Sequence, residues 1–161
     1  VWWFYPDQDG TENNRYVAYS YREGHWTTGA LERLAASDLS PFRFPLMTAS
    51  DGHVYEHEVG FSHGTEQAYL VGGPLQMGTG DNVIYLHEYL PDTNTLGDMT
   101  LTLNSRYYPM GTETVSGPIA AAIKTDLRIS GRQHAVRFDM AANTDWRIGV
   151  PRIRIKSGGR R

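Results

Sequence analysis

Three observations predict an all-β protein. Runs of aromatic and β-branched residues are separated by Gly, Asn, Asp and Pro, which are the residues typical of turns. Apolar and polar residues alternate along several of these runs, as expected of strands that turn one face to a core. Helical periodicity is nearly absent, and no apolar run is long enough to form a membrane span.

The composition is that of a folded, cysteine-free protein. The chain has 161 residues, of which 40% are hydrophobic and 20% are charged. The absence of cysteine excludes disulfides and thiolate metal sites, and it favours folding in a reducing compartment. The first residues, Val-Trp-Trp-Phe-Tyr-Pro, lack the pattern of a signal peptide and begin without Met inside a predicted strand. We therefore expect the chain to be a fragment of something longer.

The first part of the chain predicts two hairpins and one ambiguous stretch. The turn residues Asp51 and Gly52 lie between alternating runs, which is a strong hairpin signal. Residues 30–39 fit either a short helix that Pro41 ends, or a strand or irregular connection. The predicted strands are 1–6, 15–21, 25–29, 45–50 and 53–60.

The second part predicts longer antiparallel strands. Gly72-Gly73-Pro74 should bend the first of them. The predicted strands are 67–78, 83–91, 99–109, 123–130, 132–141 and 146–156. The side chains predicted to face the core are Ile84, Leu86, Leu90, Met99, Leu101, Leu103, Ile123, Leu127, Ile129, Val136, Phe138, Met140, Ile153 and Ile155. The side chains predicted to face outward include Tyr85, His87, Tyr89, Arg128, Arg152, Arg154 and Lys156.

These patterns predict two domains. Residues 1–62 form a region of antiparallel hairpins, and residues 63–161 form an antiparallel β-sandwich or an open barrel. Eight aromatic residues fall within the first 26 positions, and strand alternation places half of them on each sheet face. Two interpretations follow, a stacking platform for sugars or bases and packing across strands. We favour packing, because a sheet buried on both faces is what a β-propeller blade forms between its neighbours.

The net charge of −3 hides an asymmetry along the chain. Residues 1–100 carry four Arg and fourteen acidic residues, for a net −10, whereas residues 101–161 carry eleven basic and four acidic residues, for a net +7. The basic residues of the second part form a candidate patch with three alternative roles. It contacts a nucleic-acid backbone, it contacts an acidic partner, or it only keeps a sheet face soluble. Its residues are Arg128, Arg132, Arg137, Arg152, Arg154, Lys156, Arg160 and Arg161.

The sequence offers little support for a catalytic or metal-binding site. His53 and His57 share a strand face but lie about 13 Å apart at ~3.3 Å per residue, too far for one ion to bridge. Carboxylates such as Glu56, Glu58 and Glu88 leave a glycosidase-like pair open, although none can be nominated. Nucleophile-elbow, phosphate-loop and zinc-protease motifs are missing from the sequence. We therefore predict no enzymatic activity, no cofactor and no metal site.

The first 29 residues contain an aromatic strand that ends in Pro6, then Arg15-Tyr16-Val17, then Trp26 before Gly29. These motifs resemble those of a known family, the tail nozzle or stabilisation proteins of short-tailed bacteriophages. Residues 1–29 are similar to a late β-propeller segment of these proteins, and residues 51–60 to the hairpin of the next blade. Residues 83–107 and the C-terminal part extend the similarity, although the family's chain is several times longer. The matching motifs are the aromatic strand ending in Pro6, Thr11-Glu12-Asn13, Arg15-Tyr16-Val17, Tyr19, Trp26 before Gly29, Gly131-Arg132-Gln133, Trp146-Arg147-Ile148-Gly149 and Gly158-Gly159-Arg160-Arg161.

The resemblance implies a structural virion protein. Such a protein forms a ring, expected to have six copies, that extends the head–tail connector, retains and channels DNA, and anchors connector or adaptor proteins and a fibre or needle. It implies location in the virion tail after assembly in the bacterial cytoplasm. The alternative is a carbohydrate-binding β-sandwich module that stacks sugars on Trp2 and Trp3, or on Tyr85 and Tyr89. A carboxylate-based glycan hydrolase is the weakest of the three hypotheses.

Overall fold

The computed structural model of the chain is all-β, which confirms the predicted fold class. It describes residues 1–38, 41–61, 67–77, 80–94, 98–141 and 144–160, and contains no helix within them. None of these residues therefore belongs to an apolar helix of membrane-spanning length. The chain divides into two compact units, Val1–Phe61 and Ser62–Arg161, whereas the sequence placed the border between residues 62 and 63.

The described residues form fourteen strands. In chain order they are β1 Trp2–Tyr5, β2 Arg15–Ser20, β3 His25–Ala30, β4 Ala35–Ser37, β5 Leu46–Thr48, β6 Val54–Glu56, β7 Ala68–Val71, β8 Leu75–Gln76, β9 Asn82–Leu90, β10 Met99–Arg106, β11 Thr114–Ala120, β12 Thr125–Gly131, β13 Gln133–Met140 and β14 Arg152–Arg160.

The first unit contains two three-stranded antiparallel sheets, ordered β1-β2-β3 and β4-β5-β6. Both predicted hairpins are present. Gly24 lies in the turn between β2 and β3 and Gly52 in the turn between β5 and β6, at φ values of 72° and 79°. These are left-handed conformations that glycine adopts without steric cost. The glycine positions therefore fix both turns.

The ambiguous stretch 30–39 is extended, and its last residue lies outside the described residues. It contributes β4, which pairs with β5. Before β4, the backbone N–H of Leu31 donates to the carbonyl of Asn14, and that of Leu34 donates to the carbonyl of Thr48. Hydrogen bonds to Asn14, which precedes β2, and to Thr48 in β5 thus replace the internal bonds that a short helix would have made.

The second unit is a sandwich of two antiparallel sheets. One sheet has the order β11-β10-β13-β7, with β8 also paired to β13, and the other has the order β12-β9-β14. Within the described residues neither sheet closes into a barrel. Side chains from both sheets form one core, whose buried members are Ile84, Leu86, Tyr89, Met99, Leu101, Leu103, Ala121, Leu127, Ile129, Phe138 and Met140.

Alternation predicted several strand faces correctly. Along β10, Met99, Leu101 and Leu103 are buried while the residues between them are partly exposed. The predicted bend at residues 72–74 is also present, because β7 ends at Val71 and β8 begins at Leu75. Where a strand is regular, successive side chains point to opposite faces, so alternation in the sequence predicts which side chains are buried.

Four predicted orientations were wrong. Tyr89, predicted to face outward, is fully buried at 0% exposure. The register of β9 shifts against both of its neighbours between Leu86 and Glu88: β9 has one residue more than β14 there, and β12 has one residue more than β9. The faces of β9 are exchanged beyond this point, so Leu90, predicted to face the core, lies opposite the exposed Arg152 and is only half-buried. Ile123 precedes β12 and is 80% exposed, and Ile155 lies at a register shift of the edge strand β14 and is 45% exposed.

Candidate interaction surfaces

The predicted basic residues do not lie on one sheet. Arg128 is on β12, whereas Arg152, Arg154 and Lys156 are on β14, so these four share the sheet β12-β9-β14. Arg137 belongs to β13 in the other sheet, and Arg132 lies between β12 and β13. Arg160 is the last residue of β14, and Arg161 lies outside the described residues.

We call the outward side of the sheet β12-β9-β14 the basic face. Its exposed cations are Lys124, Arg128, Arg152, Arg154 and Lys156, and the exposed rings of Tyr85 and His87 lie on the central strand β9. Lys156 is opposite Tyr85, and Arg154 is opposite Glu88. The rings of Tyr85 and His87 stack with their centroids 6.5 Å apart. Strand alternation thus places cations on both sides of a short aromatic strip.

Glu88 neutralises part of this charge. Its carboxylate is largely buried beneath the cations, with Lys124 Nζ at 3.0 Å and Arg154 Nη1 at 3.5 Å. Lys124 also lies 3.5 Å from Asp126, and the hydrogen bond to Glu88 raises the pKa of Lys124 above its usual value. The remaining cations, Arg128, Arg152 and Lys156, have no ion pair within the described residues. The outward positive charge is therefore concentrated on these three.

Two further arginines of the predicted patch, Arg132 and Arg137, are held locally. Arg137 Nε and Nη2 donate to the carboxylate of Asp139 over distances of 2.6 to 2.9 Å. Its guanidinium also lies 4.5 Å from the centroid of the Tyr69 ring. The guanidinium of Arg132 lies 5.5 Å from the ring centroid of Tyr108. Arg137 lies in the other sheet and Arg132 lies beyond the end of β12, so neither is counted in the basic face.

The first unit presents a second surface, which we call the aromatic face. Trp3, Tyr19 and Trp26 project from one side of the sheet β1-β2-β3. The centroids of Trp3 and Trp26 are 6.0 Å apart with the rings 28° from parallel, and Tyr19 lies 4.6 Å from Trp26. Trp3 is 47% exposed and Trp26 is 63% exposed, so two indole rings lie side by side in contact with solvent.

The opposite side of this sheet carries a second aromatic cluster of Trp2, Phe4 and Tyr16. Trp2 stacks on Tyr16 with the centroids 4.7 Å apart. A Cβ added at Gly29 would lie 2.6 Å from Cε1 of Tyr16, so that ring covers the glycine closely. Trp2 remains 39% exposed. Both faces of this small sheet therefore retain exposed aromatic surface.

The sugar-stacking pairs proposed from sequence do not form. Trp2 and Trp3 lie on opposite faces of their strand, and Tyr89 is buried in the core while Tyr85 is exposed. The partner that sequence reasoning missed is Trp26. The signal was present in the hairpin, because the turn at residues 21–24 brings Trp26 opposite Tyr19. Counting strand pairs back from that turn would have placed Trp26 on the face of Tyr19, whereas its place beside Trp3 depends also on the register of β1 against β2.

The two histidines that flank β6, His53 and His57, contact different partners. His57 Nε2 accepts a hydrogen bond from Arg33 Nε at 2.8 Å, and burial followed by the charge of Arg33 lowers the pKa of His57. His53 Nδ1 lies 3.4 Å from Asp51. No three metal-ligating side chains converge in the parts of the chain that the structure describes.

No protein-family model matches the chain, and no curated protein matches it. Function is therefore inferred from the two surfaces and from the resemblance that the residues carry.

Proposed function

We propose that the chain is a structural component of a phage tail, part of the nozzle or stabilisation ring that extends the head–tail connector. In this role it retains and channels DNA and anchors neighbouring tail proteins. The ring has six copies, is assembled in the bacterial cytoplasm and resides in the virion. Its action is mechanical and electrostatic, without chemical turnover.

The observation that carries this proposal is the sheet β1-β2-β3. A three-stranded sheet gains little stability unless an apolar face is covered. Here Trp2, Trp3, Tyr5 and Trp26 are all exposed, and they are divided between the two faces. Exposed aromatic patches of this kind mark interaction surfaces. A blade that packs between neighbouring blades or subunits needs apolar side chains on both faces.

The basic face supports the same role. Arg128, Arg152 and Lys156 lie on the two edge strands of one sheet and have no ion pair within the described residues. Such a face fits an acidic neighbouring protein or the phosphates of channel DNA. Motifs of the family resemblance lie in the sheet β1-β2-β3, with Trp26 in β3 and Arg15-Tyr16-Val17 at the start of β2.

Immunoelectron microscopy of the source phage tests the proposal. Antibodies against the chain should label purified particles at the tail, next to the connector, and particles depleted of the protein should release their DNA. Labelling of the capsid alone, or absence of the chain from particles, would contradict the proposal. Pre-immune serum on the same particles is the control.

A carbohydrate-binding module remains a second candidate, because Trp3 and Trp26 offer adjacent exposed indole faces. Aromatic faces of this kind stack on the apolar side of sugar rings. A glycan array would detect sugar binding by the chain. Binding should disappear in Trp26→Ala and persist in Tyr85→Ala, since Tyr85 lies in the other unit. Binding that Trp26→Ala leaves unchanged would remove this candidate.

A further inference from the structure

We infer that the aromatic face of one copy docks on the basic face of a second copy, so that copies associate head to tail. This inference rests on the proposed ring function and names its interface. The aromatic face is Trp3, Tyr19 and Trp26. The cations that would meet it are Arg128, Arg152 and Lys156, which lie on the edge strands β12 and β14.

The side-chain chemistry of the two faces is complementary. Indole rings are the best acceptors of an arginine guanidinium, and a cation–π contact strengthens when water is excluded. Trp3 and Trp26 present exposed ring surface, while Arg128 and Arg152 present exposed guanidinium groups. Tryptophan and arginine are also the residues most enriched at the energetic centres of protein interfaces.

Contacts between an arginine guanidinium and an aromatic ring already occur within the chain. Arg33 lies 4.3 Å from the ring centroid of Tyr55, and Arg137 lies 4.5 Å from that of Tyr69. Each of those arginines also bonds a polar side chain, His57 for Arg33 and Asp139 for Arg137. Arg128 and Arg152 lack such an intramolecular partner among the described residues, and so they remain available to a ring on another copy.

Charge complementarity favours a second copy over an uncharged ligand. The unit Val1–Phe61 carries nine acidic residues, four Arg and no Lys, for a net −5. The basic face carries five cations against the two carboxylates Glu88 and Asp126. An acidic unit that bears an aromatic platform should therefore attract this face.

The geometry makes the association heterologous. The two faces are different surfaces, and each carries exposed side chains. Each copy therefore offers one of each, and contacts can be repeated from copy to copy. Heterologous contacts close into rings when the rotation between copies allows it and otherwise extend as filaments.

Sedimentation velocity across a concentration series tests the interface with the full 161-residue chain. The unaltered chain should associate with increasing concentration, and added salt should weaken that association. Trp26→Ala should raise the dissociation constant at least tenfold, as should the double variant Arg128→Glu/Arg152→Glu. The matched controls are Tyr21→Ala, an exposed ring in the β2–β3 turn, and Arg147→Glu, a side chain 79% exposed outside the basic face. Both controls should associate like the parent.

A mixing experiment tests the head-to-tail arrangement directly. Trp26→Ala keeps an intact basic face, and Arg128→Glu/Arg152→Glu keeps an intact aromatic face. Each variant alone should be monomeric, and an equimolar mixture should form a heterodimer and nothing larger, because one intact interface remains. Circular dichroism spectra matching the parent establish that both variants are folded.

Several outcomes would overturn the inference. These are a parent chain that is monomeric at all concentrations, variants that associate like the parent, or a mixture that forms no heterodimer. Glycan binding that depends on Trp26 without association would show that a sugar is the occupant. Tail labelling combined with any of these results would leave the proposed function standing and remove only this interface.

Discussion

Ser105 on β10 and His134 on β13 are paired across the sheet and joined by a hydrogen bond in the core. Ser105 Oγ lies 2.7 Å from His134 Nδ1, and both residues are 1% exposed. On the other side of the ring, Nε2 lies 3.2 Å from the carbonyl oxygen of Gly131. Since a carbonyl only accepts, Nε2 carries a proton. Burial disfavours the charged ring and lowers the pKa of His134, and in the neutral imidazole Nδ1 accepts from the serine hydroxyl.

This buried histidine should make the stability of the second unit depend on pH. Burial lowers the pKa of His134 below its ordinary value, so the unfolded chain binds the proton first as pH falls. The contribution is fully present above about pH 6.5 and is lost below it, at up to about 1.4 kcal/mol per pH unit. Urea unfolding between pH 7.5 and 5 should show this slope. His134→Gln should reduce it, whereas the exposed His87→Gln should not; an unchanged slope in His134→Gln would refute the assignment.

Removing the hydroxyl of Tyr89 is expected to raise the free energy of unfolding. The ring packs against Phe138 with the centroids 6.0 Å apart, and no partner for the hydroxyl is found among the described residues. Burial, with a contribution from Asp92, raises the pKa of Tyr89 to about 12. Tyr89→Phe should therefore raise the free energy of unfolding by about 1 kcal/mol. Tyr85→Phe on the same strand is the exposed control and should leave it unchanged. A destabilised Tyr89→Phe variant would indicate a bonded hydroxyl.

Gly117 in β11 should tolerate no side chain. Its φ is 124°, and an added Cβ would lie 2.6 Å from the carbonyl oxygen of Leu101 on the paired strand. Because both the backbone conformation and the neighbouring main chain oppose a Cβ, Gly117→Ala should cost at least about 2 kcal/mol. Gly73→Ala is the control, since nothing lies within 4 Å of its Cβ position. Thermal unfolding of the two variants measures the difference, and equal melting temperatures would contradict the structure.

The sequence predicted strands well where the pleat is regular and poorly where it is interrupted. The alternation along β10 identified its buried side correctly from Met99 to Leu103. The same rule failed beyond His87, because the register of β9 shifts there against both neighbouring strands, which reverses the faces and buries Tyr89. It missed β11, since Gly117 and Pro118 lie inside that strand and both usually mark a break. Bulges depend on neighbouring strands, which a single strand's sequence does not reveal.

The candidate surfaces were predictable only in part. Clustering along the chain grouped Arg137 with Arg152 and Arg154, but sheet order separates them, because β13 pairs in one sheet and β14 in the other. The neutralising role of Glu88 was also hidden, since its cation Lys124 is distant in sequence. The register of the β2–β3 hairpin, in contrast, is sufficient to predict that Trp26 lies opposite Tyr19. Local pairing can be read from sequence, whereas the order of strands in a sheet cannot.

The edge strand β7 should promote uncontrolled association. Its four residues, Ala-Tyr-Leu-Val, carry no charge, and within the described residues β7 pairs only with β13. An apolar edge offers unpaired backbone groups to another strand, whereas the edge strand β14 carries Arg152, Arg154 and Lys156. Val71→Glu places a carboxylate opposite Arg137 and should slow the rise in light scattering on heating. Val59→Glu, an exposed position outside the strands, is the control. Equal scattering from both variants would show that β7 is not the edge through which copies aggregate.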